Sequence, residues 1–180
     1  MCVLIQGGYF MSIKFEVNMT DKIMYDFLLY HSYTSASGLF ATLVGVGCFI
    51  FAVNKGLSGE SQSAILFAAL GAMLLFSTPF TLKSSAKNQV KNTEMFQKPL
   101  QYEVTEKGIT VTQDGESAEN TWDHIMRVVS TSKSLVIYIT RVRAIILPKE
   151  AMGDDYPAVV ELISKNVPAK KVKIRHVSVR

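Results

Sequence analysis

Two long stretches of this chain carry no charged residue at all, and they stand close together. Ser37 to Val53 reads SGLFATLVGVGCFIFAV and Ala64 to Leu82 reads AILFAALGAMLLFSTPFTL, runs of 17 and 19 residues. At a helical rise of about 1.5 Å per residue the second spans roughly 28 Å, close to the hydrocarbon thickness of a bilayer. Uncharged Ser32 to Ala36 extends the first, which is shorter. Asn54 to Ser63 (NKGLSGESQS) lies between them and is short enough to join two antiparallel helices. The reading is a transmembrane helical hairpin. A buried pair in a water-soluble core is the alternative, and two uncharged runs of this length side by side argue against it. A cleaved signal peptide fits poorly, because no charged segment precedes the first run and a second run follows at once.

The lysines set the expected orientation. Lys83, Lys87 and Lys91 follow the second run before any acid appears, whereas the connecting loop holds one Lys and one Glu. The excess of cations on cytoplasmic flanks then places the C-terminal part in the cytoplasm, and two crossings return the N-terminus to the same side, as in a multi-pass membrane protein. Within the hairpin, Ser37, Ala41 and Gly45 recur every fourth residue, as do Ala64, Ala68 and Ala72. Small residues at that spacing let helix backbones approach closely, within the hairpin or between copies in a homo-oligomer. No ionisable side chain interrupts either run, which argues against an ion pathway.

The 180-residue chain divides into unlike parts. We expect an N-terminal segment over 1–34, the hairpin over 35–82, a basic linker over 83–98, a globular domain over 99–167 and a basic tail over 168–180. The first ten residues are uncharged and precede a polar, patterned stretch, so Met11 is an alternative start to Met1. Ile13 to Val17 alternates as a strand does. Thr20 or Asp21 is placed to cap a helix beginning DKIMYDFLLYHSY. The tyrosines of this helix suit a membrane interface, and His31 has no second ligand at helical spacing.

From Lys83 onward there are 16 Lys and Arg against 11 Asp and Glu, whereas the first 82 residues hold 3 against 4. The basic part facing an anionic inner leaflet predicts contact with headgroups. No nucleic-acid motif accompanies the charge, so a nucleic-acid partner is not expected. Short strands are predicted over Leu100–Thr105, Ile109–Gln113, Glu119–Trp122 leading into His124–Ser130, Leu135–Thr140 and Arg143–Leu147. Lys107-Gly108 and Asp114-Gly115 mark turns. Pro157 to Asn166 presents Val159, Val160, Leu162 and Ile163 on one face, with Asp154 or Asp155 as the cap. The predicted class is α+β: a transmembrane hairpin, then a small antiparallel barrel closed by a C-terminal helix. Trp122 is read as core rather than a ligand-stacking residue. Pro148 is read as a strand end with Lys149 exposed beside it. In the tail Val172, Ile174, Val177 and Val179 alternate with basic residues; it holds Lys170, Lys171, Lys173, Arg175 and Arg180, and reads as a solvated end, a lipid-contacting segment or a strand offered to a partner.

The order of two apolar helices, YEVTEKGITV, Trp122-x-x-Ile125, LVIYIT, Leu147-Pro148-Lys149 and a final helix resembles the YcxB-like family of bacterial membrane proteins. The resemblance runs from about Met11 to Asn166, and its most specific pieces are Tyr102 to Gly108, Trp122 with Ile125, and Leu147 to Lys149. It implies a C-terminal domain similar to a pleckstrin-homology barrel. Glu150 departs from the basic or bulky residue expected there. None of these motifs is catalytic. His31, His124, His176, Cys2 and Cys48 lack metal spacing, and Asp123-His124, as strand neighbours, would point to opposite faces. No enzyme activity and no cofactor are expected. The expected role is a membrane-tethered interaction module that binds an unknown protein or anionic headgroups; the alternative is a small oligomeric pore or transporter accessory subunit.

Overall fold

The computed structural model describes residues 12–174. The possible start at Met11 and the tail residue Arg175 lie outside them. The described chain forms two units. One is the helical stretch from Leu28 to Gln89; the other joins the segment up to Phe27 with the chain from Val90 onward.

The second unit is α+β, as expected, with its strands divided between two sheets. Four strands, β1 (Ile13–Val17), β2 (Leu100–Val104), β3 (Gly108–Gln113) and β4 (Glu116–Thr121), form one antiparallel sheet in chain order. A second sheet has the order β7-β6-β5-β8, from β5 (Arg127–Ser130), β6 (Ser134–Tyr138), β7 (Ala144–Pro148) and β8 (Val172–Lys173). β8 runs parallel to β5, so the expected tail is part of the fold through Lys173. The alternation of the tail reads as a strand offered to a partner; the strand pairs instead with β5 of its own chain.

β1 is the element that reorganises the domain. Ile13, Phe15 and Val17 are buried while Lys14 and Glu16 face out, and β2 repeats this with Leu100, Tyr102 and Val104. Their register sets Phe15 opposite Tyr102, with stacked rings 5.8 Å apart. Val17 pairs with Leu100 although the whole helical stretch lies between them in the chain. The division expected at residue 99 had left this strand in an N-terminal segment of its own. Outside the sheet face, Ser12 donates to Glu103 at 2.6 Å and Gln101 to Glu16 at 2.8 Å.

Turn chemistry follows the sequence. Asp114 and Gly115 both have positive φ (52° and 87°), the pairing that a two-residue hairpin turn demands. Gly108 begins β3 where a Cβ would stand 2.3 Å from the Asn120 carbonyl oxygen, so only glycine fits. β4 was half missed because Glu116 to Glu119 are all exposed and carry no apolar alternation. Its acidic side chains suit a sheet edge, where charge discourages pairing with other chains. The segment expected to continue as a strand, Trp122–His124, is a 3-10 turn.

In the second sheet β6 is buried along its whole length and β7 along most of it. α4 (Lys149–Met152) follows Pro148, and α5 (Tyr156–Asn166) packs through Val159, Leu162 and Ile163. Asp155 occupies the cap position of α5 but makes no side-chain cap bond, because it already has helical backbone angles within a 3-10 turn.

α1 (Asp21–Thr34) begins with the expected cap: Thr20 Oγ1 accepts from the Ile23 amide. Ile23 and Met24 are buried. The helical unit holds α2 (Ala36–Leu57) and α3 (Ser61–Asn92), both long and apolar enough to cross a membrane. Only Ser58–Glu60 joins them, so the helices consume most of the expected loop. The Lys55–Glu60 ion pair at 2.8 Å braces this connection and holds the Glu60 carboxyl below its usual range. α3 is 32 residues long, roughly 48 Å, and continues through the stretch read as a linker. Lys83, Lys87 and Lys91 are therefore exposed residues on one helix, repeating every fourth position.

The hairpin packs small residues inward and large ones outward. Gly45 and Gly71 are its buried glycines. A Cβ on Gly71 would meet the Phe49 ring at 2.9 Å and the Gly45 carbonyl oxygen at 3.0 Å; one on Gly45 would meet Leu75 at 2.8 Å. Ala41, Ala64, Ala68 and Ala72 are half-buried beside this crossing, whereas Ser37 is exposed. Gly71 was not among the expected packing residues, since it lies one position off the alanine stripe. Fifteen large apolar side chains between Leu39 and Phe80 are exposed. At about 1.5–3 kcal/mol each, hydrating them would cost more than a typical domain's whole stability. These faces need an apolar surround.

Candidate interaction surface

The motif residues that carry the family resemblance are structural. Trp122 is buried and its Nε1 donates to the Thr105 carbonyl at 3.1 Å, locking the end of β4 to the β2–β3 turn. Ile125 is fully buried. The Lys171 ammonium donates to the Ile125 carbonyl at 2.7 Å, so this tail lysine holds backbone. Tyr102 lies in the sheet core, and burial pushes its phenol up to about 12. Pro148 pairs with Ser134 at the end of β7.

Lys149 was expected to be exposed. It is half-buried instead, and its Nζ donates to the Thr131 carbonyl at 2.6 Å and lies 5.8 Å from the Tyr156 ring centroid. Desolvation lowers its pKa, with Asp26 acting in the opposite sense. Asp26 completes this cluster from α1. Its carboxylate accepts from the Thr131 hydroxyl and from the Lys133 amide. Thr131 Oγ1 in turn accepts from the Ser134 amide at 3.0 Å, closing the β5–β6 turn. Ser134 is fully buried beside it, and its hydroxyl has no hydrogen-bond partner among the described residues. Asp26 was missed because its partners are more than a hundred positions away in the chain. Its one sequence signal is an acid amid the aromatic and aliphatic residues of α1.

A second cluster joins α1 to the far end of β6. The Arg127 guanidinium stacks 4.6 Å from the Tyr138 ring centroid, and Phe27 meets the same ring at 6.4 Å. The β6–β7 turn follows directly. Thr140 Oγ1 accepts from the amides of Val142 and Arg143, at 3.3 and 2.9 Å, and the Ile139 amide donates to the Arg143 carbonyl at 3.0 Å. This firm turn exposes Arg141, Val142 and Arg143.

The remaining basic residues divide in the same way. Lys170 and Lys173 are exposed beside β8, and Lys98 is tied to Asp114 at 2.6 Å, which raises its pKa. The Asp123-His124 pair is not on a strand; His124 Nδ1 lies 2.8 Å from Thr121 Oγ1. Among the described residues no three His, Cys, Asp or Glu side chains come together as a metal site. What the unit presents is a set of exposed basic side chains at the β6–β7 turn and beside β8.

No curated protein and no solved structure matches the chain. Residues 104–163 match the family model described as YcxB-like protein. The match runs from the end of β2 into α5 and leaves out β1 and the hairpin, which the resemblance had included. On that match and the motif residues it contains, the chain carries a YcxB-like domain.

Proposed function

We propose that this protein is a membrane-anchored interaction module. α2 and α3 form a two-span anchor in a bacterial inner membrane, and the α+β unit, similar to a pleckstrin-homology barrel, is displayed in the cytoplasm. There it engages a protein partner or anionic headgroups without catalysis.

The pairing of β1 with β2 carries this reading. The strands flank the hairpin, so a chain crossing the membrane between them must cross an even number of times. Two spans satisfy that requirement and one does not. The outward apolar faces of both helices supply the second support, since a bilayer is the surround that suits them. Lys83, Lys87 and Lys91 on the domain side of α3 favour the cytoplasm for that side.

The test is labelling of single cysteines with an impermeant maleimide, in a chain lacking Cys2 and Cys48. Ser58→Cys, between the helices, should label in intact bacterial cells. Asn18→Cys and Glu119→Cys should label only after the inner membrane is opened. Labelling of positions 18 and 119 from opposite sides would remove the two-span anchor; the reverse pattern at all three would remove the cytoplasmic assignment.

A further inference from the structure

Large apolar side chains of the α+β unit are mostly buried, and Val142 is the most exposed exception, at 78%. It stands at the tip of the β6–β7 turn between Arg141 and Arg143, both exposed. Met126, half exposed, lies beside the same end of the sheet, where its amide donates to the Tyr138 carbonyl at 2.8 Å. Arg127 is next to it on the Tyr138 ring. Among the described residues, the ion pairs include none of these three arginines. A firm turn thus presents an apolar tip ringed by uncompensated guanidinium groups.

We propose that this tip, Val142 with Arg141, Arg143, Met126 and Arg127, is a contact site for an anionic lipid surface. The inference rests on the membrane-anchor reading above. A solvated turn gains nothing from exposed valine, whereas at a bilayer interface the side chain enters the acyl boundary while the arginines meet phosphates. Arginine suits this role because its planar fork binds phosphate oxygens in pairs.

Covalent reach favours the same occupant. Phe27 touches Tyr138 at the base of the turn and stands nine residues before Ala36, where the apolar span begins. Even fully extended, that connection is about 30 Å long. A tether of this length gives the unit a high effective concentration at the bilayer, so weak contacts suffice for occupancy. Removing one arginine should lower the docked fraction's equilibrium constant about fivefold.

The full-length protein, without Cys2 and Cys48, is labelled with an environment-sensitive fluorophore at Val142→Cys. It is reconstituted in vesicles of phosphatidylcholine alone or mixed with phosphatidylglycerol, each containing spin-labelled lipid as quencher. We expect a blue shift and quenching at position 142 in the anionic vesicles, little in the neutral ones, and loss of both in Arg141→Gln/Arg143→Gln. A probe at Glu119→Cys should stay unquenched in all. A probe at Leu43→Cys in α2 reports the anchor separately. Quenching at 43 with none at 142 overturns the lipid contact alone, and equal quenching at 142 in both vesicle types overturns its anionic selectivity. No quenching at 43 overturns the anchor itself.

Discussion

Single residues here carry constraints that can be tested one at a time. Gly108→Ala places a Cβ against the Asn120 carbonyl, so we expect a loss of about 1–3 kcal/mol, read as a lower unfolding temperature in detergent. Trp122→Phe keeps most of the apolar volume but removes the donor to Thr105, and about 1–3 kcal/mol should go with it. Tyr102 gives a pH signature. Its phenol is raised to about 12, so folding favours the neutral form; the stabilisation is full below pH 10 and is lost as pH rises through 12. Alkaline unfolding should fall in that window, and Tyr102→Phe should move it upward when followed by phenolate absorbance. The glycine, the tryptophan and the tyrosine all stand out as motif residues in the sequence. What they do does not: each acts through a partner brought in by strand pairing.

At the scale of elements, the hairpin and α1 make different demands. α2 and α3 touch where Gly45 and Gly71 remove side chains from both surfaces. Gly71→Val should force them apart and lower the resistance of the purified protein to thermal aggregation, while Ser37→Val, at an exposed position, should do little. The expectation of small-residue packing was legible in the four-residue repeat; which members meet depends on helix rotation, and that is set by the partner helix. α1 is tied to the β5–β6 turn through Asp26. Asp26→Ala leaves the Thr131 hydroxyl and the Lys133 amide without this acceptor, so hydrogen exchange of the turn amides should quicken. Nothing near Asp26 in the chain announces that bond.

For the molecule as a whole, the chain order of the α+β unit is its main physical peculiarity. β1 is made first, and its partner arrives only after both long helices. A chain beginning at Thr20 should keep its two apolar helices but leave the buried face of Leu100, Tyr102 and Val104 uncovered along a sheet edge. We expect rapid proteolysis between Leu100 and Asn166 in that truncation. Residues 93–174 alone should behave the same way, and joining 12–20 to them through a flexible linker should restore protection. Proteolysis unchanged by loss of β1 would show the strand to be dispensable.

The sequence by itself determined the apolar hairpin, the α+β class, the turn residues and the C-terminal helix. These follow from local sums and local periods: uncharged length, strand alternation, helical spacing and the positive φ of an Asp-Gly turn. Tertiary structure alone decided that β1 belongs to the sheet beyond the hairpin, that the tail supplies β8, that Lys149 is partly buried on a carbonyl, and that Asp26 ties α1 to a distant turn. Each of these is a pairing between groups far apart in the chain, whose free energy exists only once desolvation by the surrounding fold makes an unpaired strand edge or polar atom costly.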